Sequence, residues 1–217
     1  MITSAGRRAL PFVLGVLMLM SPATARAAVL TDSESWGAWT VVFAGYGAVT
    51  ATGSGSSTKI TLAPAVASSP EETHAALVVS QASHDDVRIR TKVTLDQQLR
   101  ENSAPNPWES GWVVTRYQDP EHFYYVALKT NGWELGKRDP AYPGGQRFLA
   151  TGSTPRAKVG SGQTAVLQAV GRKLTVKING TTVATFTDTE RPYTTGSVGF
   201  YCEDAVVTFS RTSVTDL

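Results

Sequence analysis

Tryptophan, tyrosine and charged side chains crowd into the stretch from Asn106 to Gly152. It holds Trp108, Trp112 and Trp133, the tyrosines Tyr117, Tyr124, Tyr125 and Tyr142, and the charged residues Glu109, Arg116, Lys129, Glu134, Lys137, Asp139 and Arg147. A core calls for apolar side chains, and this mixture is not apolar. Aromatic rings stack on the faces of pyranoses, while charged and amide groups reach hydroxyls and carboxylates. The composition is that of a sugar-binding groove; the plainer reading is a wet sheet face with scattered rings.

A second set of candidates lies upstream. In Val87–Thr94, period-2 alternation puts Arg88, Arg90 and Lys92 on one face and Val87, Ile89 and Val93 on the other. Alternate residues of a strand stand about 6.6 Å apart. Three like charges so placed repel and call for anions opposite, either protein carboxylates or those of an acidic glycan. β-Elimination on a uronate needs a cation or amide to neutralise the carboxylate, a base for the C5 proton and an acid for the leaving oxygen. Arg88 and Arg90, supported by Gln98 and Arg100, suit the first task, and His74 and Tyr125 suit the other two in either order. The same groove would take Trp112, Arg116, Lys129, Trp133, Glu134, Lys137 and Tyr142 as substrate-binding residues. Glycoside hydrolysis instead needs two carboxylates across the scissile bond. Glu109 and Glu134 could supply them, although the Glu-x-Asp-x-Glu strand of jelly-roll hydrolases is absent. A binding module with no catalysis is the third reading.

The elements that would position these groups are strands. Runs rich in Val, Ile, Thr, Tyr and Phe recur between Gly, Pro, Ser and Asn clusters. They cover residues 40–43, 59–62, 75–80, 86–94, 111–117, 123–129, 133–137, 147–150, 163–170, 173–178, 181–187, 197–202 and 205–214. So many short strands in one domain predict an all-β fold, a two-sheet antiparallel sandwich of jelly-roll type. Asn179-Gly180 between alternating strands predicts a type I′ hairpin. Residues 98–106 and 138–145 read as loops.

Residues 1–27 read as a signal peptide: Arg7 and Arg8, then an apolar run over residues 9–20, then Ala25-Arg26-Ala27 as the cleavage site. The single domain would then span 28–217 and be secreted, with no membrane segment of its own. Loss of three arginines takes Lys and Arg from 20 to 17 against 18 Asp and Glu. That near-neutral balance gives no reason to expect a nucleic-acid partner, and nothing calls for a second subunit, so a monomer is expected. Cys202 is the only cysteine, which excludes an intrachain disulfide, and it reads as a strand residue. No cofactor is required. Zinc lacks a His or Cys cluster, whereas a structural calcium could be held by Asp32, Glu34, Asp204 and Asp216 if the chain ends meet.

Residues 111–126, with Arg116-Tyr117, Asp119 and Tyr124-Tyr125, resemble a pattern of sugar-active secreted domains that includes the 3-keto-disaccharide hydrolase-like family. The run Gly196-Ser197-Val198-Gly199-Phe200-Tyr201 resembles their glycine-spaced closing strand. The chain is thus similar to the concanavalin A-like lectin/glucanase superfamily. Its polar set also resembles jelly-roll polysaccharide lyases, glucuronan lyase among them, which implies a secreted, polysaccharide-degrading protein acting on a uronate glycan. The Gln-Ile-His tripeptide of alginate lyases is missing, since the corresponding strand reads Trp112-Val113-Val114.

Overall fold

A computed structural model describes residues 27–69 and 71–217, and the expected signal peptide lies outside the described residues apart from Ala27. The strands in chain order are β1 (Ala27–Leu30), β2 (Ser35–Trp36), β3 (Trp39–Phe43), β4 (Ala48–Thr52), β5 (Lys59–Ala63), β6 (Ala75–Ser80), β7 (Val87–Gln98) and β8 (Gly111–Asp119). They continue with β9 (His122–Lys129), β10 (Gly132–Arg138), β11 (Gln146–Gly152), β12 (Gly162–Val170), β13 (Lys173–Ile178), β14 (Thr181–Thr187), β15 (Ser197–Glu203) and β16 (Ala205–Asp216). They form two eight-stranded antiparallel sheets. The first runs β1-β4-β5-β16-β7-β12-β13-β14, and the second runs β11-β10-β9-β8-β15-β6-β3-β2.

The all-β sandwich expected from the sequence is the observed fold. Every expected strand is present. The three not foreseen, β1, β2 and β4, are short or built from Ala and Thr, so their hydrophobic alternation is weak. Between the sheets lies one core, with Val87, Ile89, Leu167, Leu174 and Val207 from the first and Val113, Val126, Leu135, Val198 and Phe200 from the second. Asn179 and Gly180 both take positive φ, 51° and 87°, and Ile178 pairs with Thr181, which is the predicted type I′ turn. Cys202 is fully buried, its Sγ 3.3 Å from the Ala205 carbonyl, and burial pushes its thiol pKa up. That is a packing role.

One consequence of period 2 decides the site. The face of a sheet turned away from the core is open, and the second sheet covers its own with a second apolar cluster. Leu77, Val79, Trp112, Val114, Phe123, Tyr125 and Ala127 form it, with Phe43, Tyr117 and Tyr201 at its borders. Neighbouring rings cover one another, so Trp112, Phe123 and Tyr125 are buried even on this outer face.

Candidate functional site

The outer face of the second sheet is floored by adjacent strands in register. Glu134 on β10 stands opposite Ala127, Ala127 opposite Trp112, and Trp112 opposite Tyr201. Trp112 lies flat here, stacked on Tyr125 with centroids 4.4 Å apart and tilted against Tyr201 at 4.9 Å. Above this floor are two adjoining cavities. One, of about 390 Å³, is lined by Phe43, Leu77, Phe123, Arg138 and Tyr201 among others; the second, of about 400 Å³, is lined by Trp108, Lys129, Glu134 and Phe148. Trp112, Gln146 and Glu203 line both, so the two make one groove. Trp108 and Phe148 stand on its rim, 42% and 62% exposed.

The polar groups of the groove are held in place. Glu134 accepts hydrogen bonds from the Tyr125 hydroxyl at 2.8 Å and the Lys129 ammonium at 3.0 Å. Gln146 donates to the Tyr125 hydroxyl. Gly136 is required beneath, because a Cβ there would lie 2.1 Å from the Tyr125 ring. Glu203 accepts from the Tyr201 hydroxyl at 2.6 Å. Burial, then the nearby Asp204 and Glu109 carboxylates, raise the Glu203 pKa; the Tyr201 hydrogen bond and Arg138 oppose the rise without cancelling it. A raised folded-state pKa stabilises the protein when the group is protonated, and that contribution is lost as pH rises through the folded value. Glu203→Gln is therefore expected to raise the melting temperature at pH 7, with the gain shrinking as pH falls through the usual glutamate range. An equal gain at pH 4 and pH 7 in thermal melts would contradict this.

Of the residues expected at this site, Trp112, Lys129 and Glu134 are in the groove. Arg88 and Arg90 are not: β7 pairs with β16 and β12, so both project from the outer face of the first sheet, on the far side of the sandwich. Arg116 is also misplaced by the simple alternation. A bulge interrupts the β8–β9 register after Thr115, Arg116 takes φ 51°, and its guanidinium turns inward. There it donates to the carbonyls of Gly171, Tyr193 and Asp85, and burial lowers its pKa. Trp133 and Lys137 lie on the core side of β10, opposite in parity to Glu134. Trp133 donates to the Thr154 carbonyl, and Lys137 ion-pairs with Asp188 at 2.9 Å. Tyr142 sits in the loop beyond β10, its hydroxyl donating to Glu190 and its ring against the Arg147 and Arg191 guanidinium groups.

Tyr125 is fully covered, and burial followed by the Glu134 carboxylate pushes its phenol far above its usual pKa. It positions Glu134 and cannot touch a ligand directly. His74 lines another depression, of about 630 Å³, with Asp32, Phe43, Tyr46 and Thr73; it meets the groove at Phe43, and the His74 Nδ1 lies 3.0 Å from the Ala65 carbonyl. The four residues expected to perform elimination thus occupy three different places.

Gln98, Arg100 and Glu109 serve the groove indirectly. Gln98 donates to the carbonyls of Asn106 and Glu109. Arg100 bonds Glu109 at 2.5 Å and Asp204 at 2.8 Å, and Asn106 also donates to Glu109. This buried network fixes the segment 99–110, which carries Trp108 to the rim. It also takes Glu109 out of any carboxylate pair, since its side chain has no exposed surface. The expected calcium set is dispersed: Asp32 accepts from the Ala44 amide, Glu34 from Thr31, Asp204 from Arg100 and His74, and Asp216 meets His84. Among the described residues, no three His, Cys, Asp or Glu side chains gather to hold a metal.

Sequence reasoning missed Glu203, Tyr201, Gln146 and Phe148. For the first two a signal exists. Val198, Phe200 and Cys202 point inward on β15, so Tyr201 and Glu203 must point outward. Gln146 and Phe148 depend on a register shift between β10 and β11 at Leu135/Gly136, which no local pattern marks.

No protein-family model matches the sequence, and no curated protein sequence matches it. Solved structures do. One is the carbohydrate-binding module CBM66 from Bacillus subtilis, at 15% identity and a TM-score of 0.59, covering 83% of this chain and 96% of the module. Another is a Bacteroides ovatus mixed linkage glucan PUL GH16 protein, at 11% identity and a TM-score of 0.49, covering 88% and 94%. The first likeness shows the sandwich fold. The narrower resemblances to lyases and to 3-keto-disaccharide hydrolase-like domains rest on residue patterns alone.

Proposed function

We propose that this chain is a secreted carbohydrate-binding domain that holds a neutral glycan in the groove of the second sheet. The observation that carries the proposal is the pair of exposed rim rings, Trp108 and Phe148, set over a floor whose polar groups are already fixed. Rings bind pyranose faces, and pre-oriented Glu134, Gln146 and Glu203 can accept or donate to hydroxyls without paying further ordering entropy. Charge within the groove argues for a neutral ligand. Lys129 is taken by Glu134, and Arg138 lies close enough to Glu203 to act on its pKa. The groove is lined by two cations, Lys129 and Arg138, against three carboxylates, Glu121, Glu134 and Glu203, and the Arg88/Arg90 pair is on the other sheet. β-Elimination by His74, Tyr125, Arg88 and Arg90 finds no support in this arrangement. Export is part of the proposal, and intact-mass measurement of the secreted protein should find Ala28 at its N-terminus.

A second reading has one specific observation behind it. Glu203, with its raised pKa, is suited to protonate a leaving oxygen, while Glu134 lines the same groove and could activate water at the anomeric carbon. The test is calorimetric titration of the purified protein with neutral β-glucan, xylan, fructan and chitin oligosaccharides, with reducing ends counted in parallel. Binding without new reducing ends supports the binding domain. Reducing ends that vanish in Glu203→Gln establish the hydrolase. No heat and no reducing ends with any of these glycans would overturn both readings.

A further inference from the structure

The outer face of the first sheet carries Arg88, Arg90 and Lys92, the row of cations expected at the groove and absent from it. On β7 they point away from the core at about 6.6 Å intervals, with Val87, Ile89 and Val93 buried behind them. β7 is an interior strand, so the row runs across the middle of the sheet. Register fixes what surrounds it. Arg88 is flanked by Thr215 and Gln168, Arg90 by Ser213 and Val166, and Lys92 by Ser210 and Thr164. One strand further out, Thr175 follows Gln168, and a fourth cation, Lys177, follows Val166. No carboxylate occupies these positions, and among the described residues none of the four cations forms an ion pair. Lys92 is given room to lie across β12 by a bare glycine: a Cβ on Gly162 would fall 2.2 Å from the Lys92 Cε.

In a chain whose cations and carboxylates nearly balance, acids ordinarily stand against such a row. Here the cross-strand neighbours are hydroxyl and amide groups and Val166, and the one carboxylate on the same face of β7, Asp96, lies beyond Thr94 and accepts from the Thr208 hydroxyl at 2.6 Å. We propose that this face is a second binding surface, and that its ligand is a linear polyuronate lying along β7. Its carboxylates would pair with Arg88, Arg90, Lys92 and Lys177, and the flanking Thr, Ser and Gln side chains would meet its hydroxyls. Arginine matches a carboxylate bidentately, which favours this pairing. The surface lacks the features that a single-stranded nucleic acid or a lipid surface would use. No aromatic ring stands in these rows to stack a nucleic-acid base, and Val166 is their sole apolar side chain, too little to enter a lipid surface.

The inference is independent of the groove, and its test separates the two. Affinity electrophoresis and calorimetry of the purified protein with polygalacturonate at 50 mM salt should show binding that weakens steeply at 300 mM salt. Arg88→Glu/Arg90→Glu should weaken that binding at least tenfold at 50 mM salt. Both side chains are exposed, so its melting temperature should match the parent's, and neutral-glycan binding should be unchanged. Unaltered polygalacturonate binding in the double variant would overturn the proposal. So would equally tight binding of single-stranded DNA or of anionic phospholipid vesicles, which would mark unspecific attraction.

Discussion

Replacing Asp188 with alanine is expected to lower unfolding stability by about 3–5 kcal/mol, the range for removing one partner of a buried ion pair. Asp188 lies between the sheets with no exposed surface, and so does Lys137. Its Oδ2 accepts the Tyr124 hydroxyl at 2.5 Å and the Lys137 ammonium at 2.9 Å, and its Oδ1 accepts the Glu190 amide at 2.9 Å. The ammonium also donates to the carbonyls of Glu190 and Arg191 and sits 4.4 Å from the centre of the Tyr193 ring. Deleting the carboxylate strands a buried charge whose next anion, Asp139, is 3.7 Å away. Burial acts to raise the Asp188 pKa, but the hydrogen bonds from Tyr124 and Lys137 outweigh it, and the net shift is downward. The sign follows: a lowered folded-state pKa contributes stability above the unfolded value, and that contribution disappears as pH falls through the folded one. Urea unfolding at pH 7 should show the full loss, and in strong acid parent and variant should converge. A loss below 1 kcal/mol at pH 7 would show that the ammonium finds another partner. The double change Asp188→Leu/Lys137→Met, which removes both charges, should recover most of the loss.

Trp108→Ala is expected to weaken neutral-glycan binding by about 30-fold or more, the scale of an aromatic hot spot worth about 2 kcal/mol. The ring is anchored from behind. Its carbonyl accepts the Trp112 indole N–H at 2.9 Å, and the segment carrying it is tied down through Gln98, Arg100 and Glu109. Little ordering remains to be done when a sugar covers it, so most of the stacking energy is realised as affinity. Trp108 is already 42% exposed, so the variant should melt close to the parent. Calorimetry with the best glycan of the panel decides the matter: a dissociation constant within twofold of the parent's would remove Trp108 from the site. Phe148→Ala should act in the same direction with a smaller effect, because a single ring on the facing edge strand β11 lacks that anchoring.

The sequence was legible wherever a property depends on residues close along the chain. Alternation made β7, β9, β13 and β15 readable, and Asn179-Gly180 announced its hairpin because few residue pairs accept two positive φ values. Alternation also held information that a composition-based reading overrides. Trp133 and Glu134 are neighbours on one strand and must face opposite ways, so they could never share a groove. The bulge at Arg116 broke the rule in the other direction, sending inward a guanidinium that strict period 2 puts outside.

What the sequence by itself determined is the set of strands, their turns and, apart from the bulges, which side chains share a face. What only the tertiary structure decided is which strands lie side by side. β7 takes β16 and β12 as neighbours, while β8 takes β9 and β15. That choice sends Arg88 and Arg90 to one side of the sandwich and Trp112, Glu134 and Glu203 to the other. The physical reason is that backbone hydrogen bonds between strands are chemically alike everywhere. Partner choice is therefore made by the summed packing of the whole core rather than by any local run of residues.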